Sequence, residues 1–100
     1  MSKLVRDKIG DIMQRQGKNP EIRIASVDEY GHLLLHKLHE EVVEFTQHPC
    51  TEELADILEI ILALADNLGI SESQLQAVRS EKKLQKGTFS SRCVLMDTKD

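Results

Sequence analysis

The sequence predicts an all-α protein, a four-helix bundle-type domain filling residues 1–100 as a single unit. Three observations carry this. Leu, Ile, Glu, Lys and Gln dominate the composition, and all are residues that sit well in helices. Apolar residues recur at steps of three and four over long stretches. Helix starts and stops punctuate the chain, with two serine-led capping boxes and glycines just past the periodic segments.

Taken in order, residues 3–16 read as an amphipathic helix with Val5, Ile9, Ile12, Met13 and Gln16 along one side and Gly17 as its stop. The G-K-N-P turn at residues 17–20 follows. Residues 21–25 alternate, with Ile22 and Ile24 on one side, and are expected to be extended. The S-V-D-E box at residues 26–29 opens a second helix that runs to about Gln47. Leu34, Leu38, Glu41 and Phe45 share one stripe of it. Pro49 ends this helix, and Thr51 is the expected N-cap of a third. Only Glu59 is polar between Ile57 and Ala65, so the third helix is expected to be central and buried on more than one side. Gly69 closes it. A second box, S-E-S-Q at residues 71–74, opens a fourth helix to about Gln85, with Leu75, Val78 and Leu84 turned inward and Gly87 as its stop. Residues 93–96 are apolar and extended, and are expected to pair with residues 22–24 as a minor two-stranded piece.

Composition excludes several classes. A formal net charge of −4 argues against a partner that is a nucleic-acid polymer, which needs a basic surface. Three aromatics, Tyr30, Phe45 and Phe89, make no base-stacking platform. The longest apolar run, residues 60–65, is too short for a membrane span, and the N-terminus has no apolar signal region, so a cytoplasmic protein is expected. Cys50 and Cys93 have no metal-ligand spacing and read as free thiols.

The chemistry-bearing feature is a pair of acidic clusters flanking the His48-Pro49-Cys50 break. Residues three apart on a helix are neighbours, so Glu41 and Glu44 can aim two carboxylates at one spot. Glu53 and Asp56 repeat the device on the next helix. A short loop makes the two helices antiparallel neighbours, with both pairs near the turn. One E-x-x-E pair is ordinary surface decoration. Two on consecutive helices, one of them sharing a stripe with Leu34, Leu38 and Phe45, suggest a shared cation, because converging carboxylates otherwise repel. Oxygen ligands favour Mg²⁺ or Mn²⁺ over zinc.

The pattern E-x-x-E (Glu41, Glu44) followed by E-x-x-D (Glu53, Asp56) resembles the all-α nucleoside triphosphate pyrophosphohydrolases of the MazG superfamily. The blocks K-L-V-R-D-K-I (3–9), H-E-E-V-V-E-F (39–45), E-E-L-A-D-I-L-E (52–59) and E-K-K-L-Q-K-G-T-F (81–89) are similar to its small phosphoribosyl-ATP pyrophosphohydrolase-like branch. Gly10 stands where such openings usually carry proline, Thr88 replaces a second glycine before Phe89, and the spacer between the acidic pairs is short for the superfamily. The resemblance implies Mg²⁺-dependent cleavage between the α and β phosphates of a nucleoside triphosphate or a related phosphoribosyl nucleotide, giving a monophosphate and pyrophosphate, in a house-cleaning role. It places Glu41, Glu44, Glu53 and Asp56 as metal ligands and Glu40 as general base. Lys83, Lys86, Arg6 and Lys8 are candidate phosphate contacts, against helix capping for the lysines of the fourth helix and a solvated face for Arg6 and Lys8.

Two further readings complete the sequence. Leu33, Leu35 and Val43 lie off the main stripe, which a chain this short cannot cover, so a homodimer or larger homo-oligomer is expected; the resemblance implies the same. His32, His36 and His39 share a face opposite that stripe and read as a solvated or subunit-contact surface, and Asn67 as a helix-capping residue. The alternative to an enzyme is a catalytically idle helical oligomerisation or interaction module with an acidic surface.

Overall fold

The computed structural model describes residues 2–99. Its order is α1 (Ile9–Arg15), α2 (Val27–Gln47), α3 (Thr51–Asn67) and α4 (Glu72–Lys86). The described residues contain four helices and no strand, so the protein is all-α. Among the described residues, no helix is long and apolar enough to cross a membrane.

Local chemistry sets most of the boundaries. Ser26 Oγ accepts the Glu29 amide while the Glu29 carboxylate accepts the Ser26 amide, so α2 begins on a complete capping box. Ser71 and Gln74 do the same for α4. At the end of α3, Gly69 has φ +77°, its amide donates to the Asp66 carbonyl at 2.9 Å, and the Ile70 amide reaches the Ala65 carbonyl at 2.9 Å. That is a Schellman closure, which needs a left-handed residue at Gly69.

Three boundaries differ from expectation. The first helix occupies only Ile9–Arg15 rather than residues 3–16. Its N-cap, Lys8, makes no side-chain cap, and the segment before it is held by a distant partner, described below. A helix of seven residues has little propagation to offset nucleation. The N-cap of α3 is Cys50, with no side-chain cap, and Thr51 is already helical. Residues 22–24 and 93–96 form no ladder. Ile22 instead lies over α1, where a Cβ added at Gly10 would stand 3.1 Å from its Cγ1. Ile24 is 90% exposed, and Val94, Leu95 and Met96 are exposed as well.

The core is the α2–α3 hairpin. The Leu34–Leu38–Glu41–Phe45 stripe faces inward: Leu34 and Glu41 are buried, Leu38 and Phe45 half-buried. On α3, which packs against α2, Ile60 and Ala65 are buried. Burying a side chain such as Leu34 or Ile60 stabilises by about 1.5–3 kcal/mol. The rest of α3 is less covered than expected, with Leu54, Leu58 and Ile61 exposed. The expected inward face of α4 is also uncovered in the single chain. Leu75 is half-buried, but Val78 and Leu84 are exposed, because α4 touches α3 over only a short stretch. The hairpin is antiparallel. Asn67, at the end of α3, stands 3.3 Å from where a Gly31 side chain would begin, near the start of α2. The glycine therefore permits that close approach of the exposed Asn67 side chain.

Candidate metal centre

At the other end of the hairpin, beside the 48–50 turn, the carboxylates meet. Oxygens of Glu41, Glu53 and Asp56 lie within 4.8 Å of one another. So do oxygens of Glu40, Glu41 and Glu44. Glu41 belongs to both sets and is therefore the hinge of the cluster. Its position follows from helical phase. Being on the stripe of Leu34 and Leu38, it must point between the helices, and it is only 6% exposed.

Of these acids Glu41 is buried, and Glu40, Glu53 and Asp56 are half-buried. Glu41 Oε2 and Glu53 Oε2 are buried with no hydrogen-bond donor. Desolvation raises the Glu53 pKa above the ordinary carboxylate value, helped by its contact with Glu41 and by the charges of Glu44, Glu41 and Asp56. Two ionised carboxylates are both acceptors, so the Glu41–Glu53 contact becomes a hydrogen bond only if one of them takes a proton.

Two cations partly answer this charge. Lys37 Nζ stands 3.4 Å from Glu40 Oε1 and 3.5 Å from Glu41 Oε1, with its side chain only 20% exposed. Arg6 Nη2 donates to Asp56 Oδ1 at 2.7 Å. Sequence reasoning missed Lys37, although its signal is plain: it precedes Glu40 and Glu41 by three and four positions, the spacing of helical ion pairs. The Arg6–Asp56 pair joins residues 50 apart and has no local signature.

The other candidates lie elsewhere. Among the described residues, no ion pair joins Lys8, Lys83 or Lys86 to the cluster. Lys8 is the exposed N-cap of α1. Lys83 lines a hollow with Leu75, Val78, Arg79 and Phe89 at the end of α4, and Lys86 is the last residue of that helix. His32, His36 and His39 are exposed on α2. Cys50 and Cys93 are free thiols.

Fold and site together define an all-α protein with an acidic centre in the turn end of an antiparallel helix pair. No family model matches the chain, and no solved structure matches it. A 44-residue stretch is 48% identical to a protein of Mycolicibacterium smegmatis (strain ATCC 700084 / mc(2)155) described as uncharacterized. The stretch is 44% of this chain and 45% of that protein, so the chain spans less than half the length of this relative.

Proposed function

We propose that the chain is a Mg²⁺-dependent nucleoside triphosphate pyrophosphohydrolase, a hydrolase acting on acid anhydrides, of the MazG-like kind. The observation that supports this most is the pair of buried, donorless oxygens, Glu41 Oε2 and Glu53 Oε2, facing a shared centre with Asp56. A buried carboxylate oxygen without a partner is costly, and a hard divalent cation is the ligand that suits several of them at once. Glu41, Glu53 and Asp56, with Glu44 beside them, would hold Mg²⁺ or Mn²⁺. A cation there supplies neutralisation of phosphate charge and a more acidic bound water. Glu40, at the rim of the cluster beside Lys37, accepts the proton of the water that attacks the α phosphorus. The α–β anhydride bond breaks, and pyrophosphate leaves with the bond's electron pair. Arg6, Lys8, Lys83 and Lys86 are the side chains available to hold phosphate oxygens, Arg6 being the one at the cluster. The substrate is a nucleoside triphosphate or related phosphoribosyl nucleotide, consistent with a house-cleaning role in the cytoplasm.

The assembly is a homodimer or larger homo-oligomer. The chain exposes 9127 Å², whereas a compact monomer of its mass exposes about 5,700 Å². The exposed residues include Leu54, Leu58, Val78 and Leu84, which a second copy would cover.

A second reading has its own support. Arg6 and Lys37 are built-in counter-ions, as expected of an idle helical module whose acids need no metal. The two readings part on measurement. For the enzyme, Glu41→Gln and Asp56→Asn each lower Mg²⁺-dependent pyrophosphate release at least about 100-fold, the scale of losing a buried charged transition-state contact, while circular dichroism still shows folded helix. Full activity in both variants contradicts it. For the idle module, no nucleotide is hydrolysed and Mg²⁺ does not raise Tm.

A further inference from the structure

Arg6 occupies an unusual place. It precedes α1 in a segment without regular structure, yet its guanidinium is hydrogen-bonded to Asp56 on α3. Asp56 in turn shares a centre with Glu41 and Glu53. The Arg6 side chain is 58% exposed, so it approaches the cluster from the solvent side, while the Glu41 side chain is 8% exposed and carries an unpaired oxygen. Lys37 differs, because it is mostly buried and fixed by its own helix one turn before Glu41.

We infer that Arg6 is an exchangeable counter-ion of the acidic centre: it holds Asp56 while no divalent cation is bound, and turns to phosphate oxygens when one is. This rests on the proposed function and adds a mechanism for loading the site. A guanidinium on Asp56 and a divalent cation among Asp56, Glu41 and Glu53 are like charges competing for the same carboxylates. Coupling of this kind is reciprocal, so Arg6 weakens cation binding as much as the cation weakens the Arg6 pair. The exposed pair is weak enough to be displaced. Once released, the guanidinium offers its planar fork of donors to a triphosphate at the mouth of the same site. The pair also shields the acids from mutual repulsion before loading.

The sign of one effect separates this role from a merely structural one. Mn²⁺ binding to the full chain is measured by calorimetry without nucleotide, in wild type, Arg6→Gln, Arg6→Lys and Glu41→Gln. The expected result is that Arg6→Gln binds Mn²⁺ about two- to fivefold tighter than wild type. Arg6→Lys stays near wild type, and Glu41→Gln loses binding. With Mg²⁺ present, Arg6→Gln binds an α,β-methylene nucleoside triphosphate more weakly than wild type. In the wild type, the side-chain N–H signal of Arg6 in a ¹⁵N-labelled sample moves when Mg²⁺ is added. If Arg6 only orients Asp56, Arg6→Gln binds Mn²⁺ equally or less well, which overturns the inference alone; so does an Arg6 signal that stays in place. A wild type that binds no Mn²⁺ overturns the proposed function and this inference together.

Discussion

A carboxylate on a core stripe is the residue-scale fact from which the rest follows. Glu41 is placed by the same helical phase that buries Leu34, and burial is what turns it from a surface acid into a ligand candidate. Its position was legible because periodicity is local. The raised pKa of Glu53 also follows from burial, though its degree depends on how α3 docks, which no spacing reveals. Glu29 shows the opposite environment. A side-chain hydrogen bond from Arg23 and the Ser26 amide lower its pKa from 4.5 to about 2. A depressed acid stabilises the fold above its unfolded pKa, and that contribution is lost as pH falls through the folded value. The window is thus about pH 4.5 down to about 2. Glu29→Gln keeps the cap, since Gln74 makes the equivalent contact in α4. Acid titration of Tm should therefore show a shallower decline for Glu29→Gln than for wild type across that window, with the variant the less stable of the two at pH 7 and the two converging at low pH. Equal slopes would contradict the assignment.

At the scale of elements, stability is concentrated in α2 and α3, and the caps should report this unevenness. Ser26→Ala removes a hydrogen bond at the start of the helix that carries the core, so it should cost about 1 kcal/mol of global stability, or about 4–8 °C in Tm for a chain of this size. Ser71→Ala removes the same bond from α4, which buries no residue. Its effect should appear as faster amide exchange within α4, with a smaller change in Tm. Both boxes, and the left-handed closure at Gly69, were legible because each is written within a few residues. The start of α1 was not. Residues 3–8 carry a helical pattern, but Arg6 is drawn to Asp56, and a contact across 50 positions overrides local periodicity. The supposed strand pairing failed for the same reason. Alternation marked residues 22–24 as extended, and Ile22 found α1 through the gap at Gly10 rather than a partner strand.

The whole molecule is elongated. Its extents are 62 × 32 × 22 Å and its radius of gyration is 17.9 Å, against about 13 Å for a compact domain of this length. Among the described residues only Leu34, Ile60 and Ala65 are buried apolar residues, too few to sustain an isolated fold. The apolar run of α3 predicts burial that the single chain does not provide, with Leu54, Leu58 and Ile61 exposed, and the proposed homo-oligomer would supply that cover. Light scattering after size exclusion should give a mass at least twice 11.3 kDa, and Tm should rise with protein concentration as it does for obligate oligomers. A folded monomer whose Tm is independent of concentration would contradict this.

The reaction itself provides the most direct test of the account. The wild-type chain is incubated with Mg²⁺ and a panel of nucleoside triphosphates in H₂¹⁸O, and products are followed by ³¹P NMR. The account predicts pyrophosphate and a nucleoside monophosphate, with ¹⁸O in the monophosphate and none in the pyrophosphate, and loss of turnover in Glu41→Gln. Release of inorganic phosphate and a diphosphate, ¹⁸O in pyrophosphate, or no turnover of any nucleotide would contradict it.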